Sequence, residues 1–260
     1  MLKRLKHWAL PHTCILCQAI CQNRDLCISC ADELPYCQTT CPQCGLTLLN
    51  QAQPTPCGEC LIKPPPFDHT IALCEYKAPI NQLIAGLKFH EKLIYARVLG
   101  EIMAESLTQY YQNQPLPASI IPVPLHKKRL QERGYNQAVE LARPIAKQLT
   151  LPLLTHICKR NRVTQTQSSL SLDERRQNMK GAFSLTGPTV GKHVAILDDV
   201  ITTGNTVTEI SQLLKKAGVE TITLWCVARS NREDESKMLK KCHPAPATSA
   251  GQAGRDLVII

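Results

Sequence analysis

The chain has 260 residues, of which 43% are apolar, and its 30 Lys and Arg against 21 Asp and Glu give a formal net charge of +9. This apolar content excludes a chain that is disordered throughout, and the length allows one or two domains with substantial cores. The amino-terminal segment MLKRLKHWALPHT is basic but lacks the continuous apolar stretch of a secretory signal. No run of about 18 apolar residues predicts a membrane span, so we expect a cytoplasmic protein.

Four CxxC pairs dominate the first quarter of the chain. Ten of the 14 cysteines lie between residues 14 and 60. Eight of these ten form pairs with identical spacing: Cys14/Cys17, Cys27/Cys30, Cys41/Cys44 and Cys57/Cys60. A reducing compartment disfavours disulfides, whereas two CxxC turns complete a tetrahedral zinc site. The pattern therefore predicts two Zn²⁺ ions.

The order of the pairs favours sequential sites, one formed by the first two pairs and one by the last two, with crossed pairing as the alternative. Cys21 and Cys37 fit neither set. A zinc ion bound by four cysteines keeps no open position for water, so both ions are expected to be structural. A segment of about 50 residues has too little core to fold alone, and metal supplies what the core lacks.

Changes in composition predict the domain boundaries. Pro64, Pro65 and Pro66 form a stiff spacer, after which the cysteine density falls. From about Ser230, charged and then Pro-, Ala-, Gly- and Ser-rich sequence is typical of a disordered extension. We predict a zinc module at 1–66, a second domain at 67–229 and a disordered tail at 230–260.

Strands and helices alternate within the second domain. Strand patterns occur in HTIALCEY, SIIPVP, HVAILDD and ETITLWCVAR, and helical spacing of apolar residues occurs in PINQLIAGLKF, LIYARVLGEIMAESLTQYY, NQAVELARPIAKQL and NTVTEISQLLKKAG. Pro144 lies inside the third helical pattern, and the pattern gives no reason for a proline at that position. This alternation predicts an α/β fold, with a doubly wound, mostly parallel sheet that has helices on both faces.

The segment HVAILDDVITTGNTVTEI places Asp198 and Asp199 at the end of a buried strand, where ligands of parallel sheets bind. The loop that follows contains Thr202, Thr203, Gly204, Asn205 and Thr206. Free N–H groups and the helix dipole favour a phosphate there, and Gly204 permits a positive φ or a close approach. Acids beside a phosphate require sugar hydroxyls or Mg²⁺ as partners. The pattern therefore predicts a ribose-phosphate site.

The segment AILDDVITTGNT closely resembles the signature of type I phosphoribosyltransferases that binds 5-phosphoribosyl 1-diphosphate (PRPP). PVPLHKKRLQERGYNQ (122–137) and KRNRVTQTQSSLSLDERRQNMKGAF (159–183) resemble the two other characteristic blocks of the ComF/GntX family, and the cysteine pairs resemble its double zinc ribbon. The resemblance covers roughly residues 10–230. It implies a type I phosphoribosyltransferase-like domain that binds PRPP with Mg²⁺. It also implies an association with competence for DNA uptake and use of external DNA.

Twelve Lys and Arg against four Asp and Glu between His126 and Lys180 place a net charge of +8 in one segment, which favours an anionic ligand. By resemblance, this segment contains a pyrophosphate loop with Arg129, Arg133, Gly134 and Tyr135, and a flexible loop with Arg160, Arg162, Thr164 and Gln167. Guanidinium groups suit the first role because they bind diphosphate oxygens in bidentate fashion. Closure of the second loop would exclude water. We also predict a helix in LDERRQNMKGAF.

Three functions fit these residues. The first is a phosphoribosyltransferase, with Asp198 and Asp199 as its catalytic acids; no residue stands out as a general base, and no acceptor pocket is evident. The second is a non-catalytic nucleic-acid-binding protein that uses the fold as a phosphate platform, with single-stranded DNA and other DNA-uptake proteins as partners. The third is a regulator that senses PRPP. Two acids oppose a bare DNA backbone and therefore favour PRPP. Lys88 and Phe89 are assigned to a helix surface, with a ligand role as the alternative because the family has a similar basic–aromatic element.

Overall fold

The computed structural model describes residues 12–22, 24–48, 53–162, 181–187 and 191–230. Thr164 and Gln167 of the predicted flexible loop lie outside these ranges, as does the predicted tail from residue 231. Within the described ranges, no helix combines the length and the apolarity that crossing a bilayer requires.

The amino-terminal region contains short elements built around the cysteines. Strands β1 (His12–Thr13) and β2 (Ile20–Cys21) pair antiparallel. Helix α1 (Ile28–Asp32) follows Cys27, and helix α2 (Gly58–Ile62) follows Cys57. Each helix therefore begins directly after the first cysteine of a CxxC pair.

The remaining elements contain the alternation that the sequence predicts and add two short strands, at residues 158–160 and 183–185, which pair antiparallel with each other. They are β3 (His69–Glu75), α3 (Ile80–Phe89), α4 (Leu93–Tyr110), a 3₁₀ turn (Tyr111–Asn113), β4 (Ser119–Pro122), α5 (Lys127–Arg133), α6 (Gln137–Leu149), β5 (Cys158–Arg160), β6 (Phe183–Leu185), β7 (His193–Ile201), α7 (Asn205–Lys216) and β8 (Thr221–Arg229). Strands β3, β8, β7 and β4 form one sheet in that order, and all its neighbours run parallel.

Both faces of the sheet are covered, which confirms the doubly wound prediction. Ala195 and Leu197 of β7 join a hydrophobic cluster with α3, α4 and α6. Val194 and Ile196 point to the other face and join a cluster with α7 and β6. The alternation follows from the period of two along a strand, and the apolar residues on both faces are those of a strand buried on both sides.

The first cysteine module shares the larger of these cores. Cys14, Leu26, Ala31 and Leu34 are buried in the same cluster as Leu99 and the other inward residues of α4. The division at residue 66 stays a prediction, but the hydrophobic packing is continuous across it.

Three local expectations need correction. HKKRLQERGYN is not wholly a loop, because residues Lys127–Arg133 form α5. β7 extends two residues beyond the predicted HVAILDD. Phe183, the last residue of the predicted helix LDERRQNMKGAF, begins β6, and residues 172–180 of that prediction lie outside the described ranges. The structure also gives a reason for Pro144 inside α6. It packs against Gly100 of α4, where an added Cβ would lie 2.4 Å from the proline Cγ. The proline therefore belongs to a close helix–helix contact.

Candidate functional site

The two predicted acids lie at the carboxyl edge of the sheet. Pairing of β7 with β4 ends at Leu197, whereas pairing with β8 continues from Asp198 to Ile201. The acids therefore project where one neighbouring strand has ended. Asp198 Oδ1 accepts a hydrogen bond from the Asp199 N–H at 2.9 Å, and Asp199 Oδ1 accepts one from the Val200 N–H at 2.9 Å.

Lys88 is paired with the buried acid. Its Nζ lies 2.7 Å from Asp199 Oδ2, and the Asp199 side chain is 4% exposed. Burial opposes the charge of Lys88, but Asp199, helped by Asp198, outweighs burial and raises the lysine pKa. Sequence reasoning missed this partner, because Lys88 looked like a helix-surface residue. The basic–aromatic pair Lys88–Phe89 at the carboxyl end of α3 raised a ligand role as an alternative, but no signal in the sequence pointed to Asp199.

Asp198 has a strongly altered acidity. Burial, reinforced by the neighbouring charge of Asp199, raises the pKa of its carboxyl to about 8, even though Lys88 acts in the opposite direction. The side chain is partly exposed. In the ligand-free protein at neutral pH, Asp198 is therefore mostly protonated and can donate as well as accept a hydrogen bond.

The predicted phosphate loop joins β7 to α7 directly behind these acids. Gly204 has a φ of +76°, the left-handed conformation that the sequence suggested for it. Residues 202–206 are all partly exposed, and the N–H of Asn205 lies 3.4 Å from Thr203 Oγ1. The loop ends at the amino terminus of α7, a helix of twelve residues. The N–H groups in the first turn of a helix have no partner within it, so an anion is favoured at this end of α7.

Arg133 of the predicted pyrophosphate loop lies close enough to Asp199 for the charge of that acid to act on it. Burial lowers the pKa of its guanidinium, and the charge of Asp199 opposes that shift. The group lies over the ring of Phe89 at 6.0 Å and donates to Gln137 Oε1.

The other three residues of that set have contacts within the protein or with solvent. Gly134 ends α5 with a φ of +78° and donates its N–H to Leu130 O at 2.8 Å, so this amide is already used in capping the helix. The Tyr135 hydroxyl donates to the carbonyl of Leu87. Arg129 is exposed and lies 3.9 Å from Glu132. Their roles toward a diphosphate stay predictions.

Arg160, which was predicted to lie in the flexible loop, instead ends strand β5 and reaches the same edge from there. Its guanidinium lies 5.6 Å from the centre of the Phe183 ring. Burial lowers its pKa, the charge of Asp198 opposes that shift, and Arg129 adds to it. Arg162 lies beside Gly181: a Cβ added to Gly181 would lie 3.2 Å from Arg162 Nη2. Arg133 and Arg160 therefore join Lys88 around the acid pair.

The cysteines form two clusters in the sequential order. Cys14, Cys17, Cys27 and Cys30 make one group, and Cys41, Cys44, Cys57 and Cys60 make the other; within each group the sulfur atoms lie within 4.8 Å of one another. Neither Cys21 nor Cys37 joins a group in the described part of the chain.

The geometry of both clusters fits a tetrahedral metal. A Zn–S bond of about 2.3 Å implies sulfur atoms about 3.8 Å apart, and the Cys17–Cys27 and Cys44–Cys57 sulfur distances are both 3.7 Å. Burial opposes ionisation of Cys14 and Cys41, but backbone N–H donors lower their pKa to about 6 and about 7. One cysteine of each cluster therefore favours thiolate, the form that binds metal, whereas burial and the neighbouring thiols raise the pKa of others, such as Cys44 and Cys60.

Comparison with known proteins shows extended similarity. A family model described as the phosphoribosyl transferase domain matches residues 134–245. The DNA utilization protein YhgH of Salmonella typhi is 36% identical over 225 residues, which are 85% of this chain and 98% of that protein. Competence protein F of Haemophilus influenzae is 39% identical over 231 residues, which are 84% of this chain and 96% of that protein.

The chain also resembles more distant proteins. Competence protein ComFC of Streptococcus pneumoniae is 25% identical over 195 residues, 74% of this chain and 81% of that protein. Among solved structures, the adenine phosphoribosyltransferase of Leishmania tarentolae aligns with 64% of this chain and 92% of that chain, with a TM-score of 0.38 and 15% identity. So loose a superposition carries no argument about individual residues.

Proposed function

The chain belongs to the ComF/GntX family, in which a double zinc ribbon precedes a phosphoribosyltransferase-like domain, and from this premise we propose that it binds PRPP at the carboxyl edge of its sheet. We propose further that it transfers the phosphoribosyl group to an acceptor. Its place in the cell would be the cytoplasm, in the uptake or use of external DNA that the names of its relatives describe. Both cysteine clusters would hold structural Zn²⁺.

One observation carries this proposal. A single strand–loop–helix unit places partly exposed Asp198, a loop with Gly204 at φ +76° and the amino terminus of α7 side by side. The acid suits the ribose hydroxyls, and the loop suits the 5′-phosphate. A sugar phosphate uses both features at once, the acid through its hydroxyls and the loop through its phosphate.

The surrounding cations suit the diphosphate of the same ligand. Arg133 and Arg160 lie near the acids on separate elements, α5 and β5, so they can contact a ligand from two sides. As the bond from ribose C1 to the diphosphate breaks, their guanidinium groups would stabilise the charge that develops on the departing oxygen atoms. The protein would act by positioning and electrostatics rather than by covalent chemistry.

The acid pair also fits Mg²⁺ in part. Lys88 already neutralises Asp199, so Asp198 is the acidic oxygen donor of this pair for the ion once its carboxyl has released its proton. Bound Mg²⁺ would supply further neutralisation of the diphosphate. Asp199, held by Lys88, would then keep the β7 backbone and its neighbour Asp198 in place.

Calorimetric titration of zinc-loaded protein with PRPP, with and without Mg²⁺, tests the proposal. We expect Asp198→Asn and the double variant Asp198→Asn/Asp199→Asn to weaken binding by about 100-fold, because hydrogen bonds to charged groups contribute about 1.5–3 kcal/mol each. Glu220→Gln is a matched control, since this exposed acid pairs with Lys192 at the opposite edge of the sheet. Its affinity should equal that of the wild type.

Failure of folded, zinc-loaded wild type to bind PRPP would overturn the proposal. The nucleic-acid alternative would then be measured as affinity for single-stranded DNA against salt concentration. A specific feature favours that alternative: α5 has no buried residue, and Lys127, Lys128 and Arg129 are exposed on it. Such cations release counterions from a polyanion, so the affinity would fall steeply with salt.

A further inference from the structure

Arg229 connects two distant parts of the molecule. It ends β8 and is 6% exposed. Its Nε donates to the carbonyl of Cys44 at 2.9 Å. Its Nη1 lies within hydrogen-bond distance of the carbonyls of Ile201 (2.8 Å), Thr202 and Ser230 (2.8 Å). One side chain therefore bridges the second cysteine cluster and the start of the phosphate loop.

The chemistry of this bridge makes it stiff. A buried guanidinium loses hydration, which costs several kcal/mol unless its donors find acceptors. Within the described residues, all four acceptors are backbone carbonyl oxygens, which cannot rotate away as a side chain can. The planar fork of arginine also fixes the directions of its donors. A shift of the Cys44 carbonyl must therefore move the loop or break hydrogen bonds.

The position of the Cys44 carbonyl depends in turn on the cluster. Cys44 lies on the CxxC turn that the Gly45 N–H closes onto the Cys41 carbonyl at 2.8 Å, and its sulfur lies 3.7 Å from that of Cys57. A metal that joins all four sulfur atoms holds this turn against the chain around Cys57. Loss of the metal frees the turn on that side.

The first cluster offers a contrast. Its module contacts α4 through Arg97 with Asp25 and through Arg24 with Glu105. These ion pairs are partly exposed, and α4 does not adjoin the phosphate loop in the chain. In the described residues, no contact of that kind runs from the first cluster to residues 201–206.

We propose that Arg229 is a positioning residue that couples metal binding in the second cluster to the order of the loop at residues 201–206. The coupling organises the loop for a phosphorylated ligand. The identity of that ligand as PRPP rests on the proposed function above, whereas the coupling itself does not.

Hydrogen–deuterium exchange of the full-length, zinc-loaded chain tests the coupling without any ligand. Cys57→Ser and Cys27→Ser form a matched pair, because each cysteine directly precedes a short helix in its cluster. We expect Cys57→Ser to speed exchange in peptides spanning 201–206 by about tenfold, within the usual range of coupling between sites. Cys27→Ser, whose cluster packs in the main core, should speed exchange in the loop no more than it speeds exchange in the neighbouring strands of the sheet.

Arg229→Lys provides a second variant that retains both cysteine clusters. Lysine keeps the charge but cannot donate from two nitrogen atoms to Cys44 and Ile201 together. We expect loop exchange about tenfold faster and PRPP binding about tenfold weaker, with the zinc content unchanged. Arg97→Gln, which removes a contact of the first module, should change neither value.

Because coupling is reciprocal, PRPP should raise the zinc affinity of the second cluster by the factor by which zinc in that cluster raises the PRPP affinity. Competition with a chromophoric chelator measures the zinc affinity. Unchanged loop exchange in both Cys57→Ser and Arg229→Lys would overturn the inference. Equal acceleration in Cys57→Ser and Cys27→Ser would also overturn it. If the wild type binds no PRPP, the proposed function fails, and the exchange comparison still decides the coupling.

Discussion

Asp198 keeps its proton at neutral pH because of where β7 places it. Burial, and then the charge of Asp199, raises its pKa to about 8, far above the ordinary value for aspartate of about 3.9. Between these two values the folded protein holds a proton that the unfolded chain releases. The contribution of Asp198 to stability therefore decreases as pH rises through this window, by up to about 1.4 kcal/mol per pH unit.

Asp198→Asn should remove this loss, because asparagine resembles the protonated acid and does not titrate. We expect the variant to have a higher melting temperature than the wild type at about pH 8 and a nearly equal one at about pH 4. Thermal unfolding followed by circular dichroism across that range measures the difference. Glu220→Gln, an exposed acid, serves as the control. A difference that does not change with pH would contradict the altered pKa.

Lys88 shows how a residue's role depends on its surroundings. As part of LKFHEK it has the composition of an exposed helix end, and the sequence alone assigns it there. In the fold it neutralises Asp199, whose side chain is 4% exposed. Removing Lys88 would leave the buried Asp199 carboxylate without its counterion, which is strongly destabilising.

At the scale of elements, α7 has a left-handed glycine at each end. Gly204 has a φ of +76° before the helix, and Gly218 has a φ of +92° after it. Neither position is crowded: the nearest atoms to an added Cβ at Gly204 lie at 3.9 Å and 4.0 Å, and none lies within 4 Å at Gly218. Substitution at either glycine therefore strains the backbone without a clash.

Alanine at these positions separates stability from ligand binding. We expect both Gly204→Ala and Gly218→Ala to lower the free energy of unfolding by about 1–2 kcal/mol, the cost of a left-handed conformation for a residue with a Cβ. Gly204→Ala should also weaken PRPP binding, because its backbone belongs to the phosphate loop. Equal PRPP affinities in the two variants, measured by calorimetry, would show that the loop conformation does not matter for binding.

The prediction of α5 as a loop failed for a reason that belongs to this scale. All seven of its residues are exposed or partly exposed, so no apolar period marks the helix in the sequence. Its ends are defined by His126, whose ring accepts a hydrogen bond from the Lys128 N–H, and by left-handed Gly134. A histidine cap is a weaker sequence signal than the usual serine, threonine or aspartate.

At the scale of the whole molecule, the first cysteine module is part of the main core rather than an appendage. Cys14 and Leu26 are buried in the same cluster as Trp225 of β8. Loss of metal should therefore reach the sheet, because the residues that the metal organises also pack against the helices that cover it.

Removal of zinc by a chelator should lower the melting temperature of the whole chain by about 10 °C or more, since each kcal/mol shifts a protein of this size by about 2–4 °C. The test follows Trp225 fluorescence in a Trp8→Phe background beside the reactivity of the cysteine thiols. We expect both signals to change together with temperature. Thiol exposure well below the Trp225 transition would show that the module unfolds separately.

The sequence by itself determined the features that depend on neighbouring residues. Four CxxC pairs predicted both sulfur clusters, alternating apolar patterns predicted a doubly wound parallel sheet, and Asp198 with the loop to Thr206 predicted a strand–loop–helix unit with a left-handed glycine. Each of these features depends on residues that are close in sequence, where bond geometry and the periods of helices and strands constrain the spacing.

Only the tertiary structure decided which distant groups meet. Lys88 pairs with Asp199 from 111 residues away, and Arg229 reaches Cys44 from 185 residues away. No period in the sequence relates such positions, because their contact depends on strand order in the sheet and on how the cysteine modules pack on it. Burial then decides the chemistry of these groups. A charge that is removed from water needs a partner within reach, and the fold determines which groups lie there.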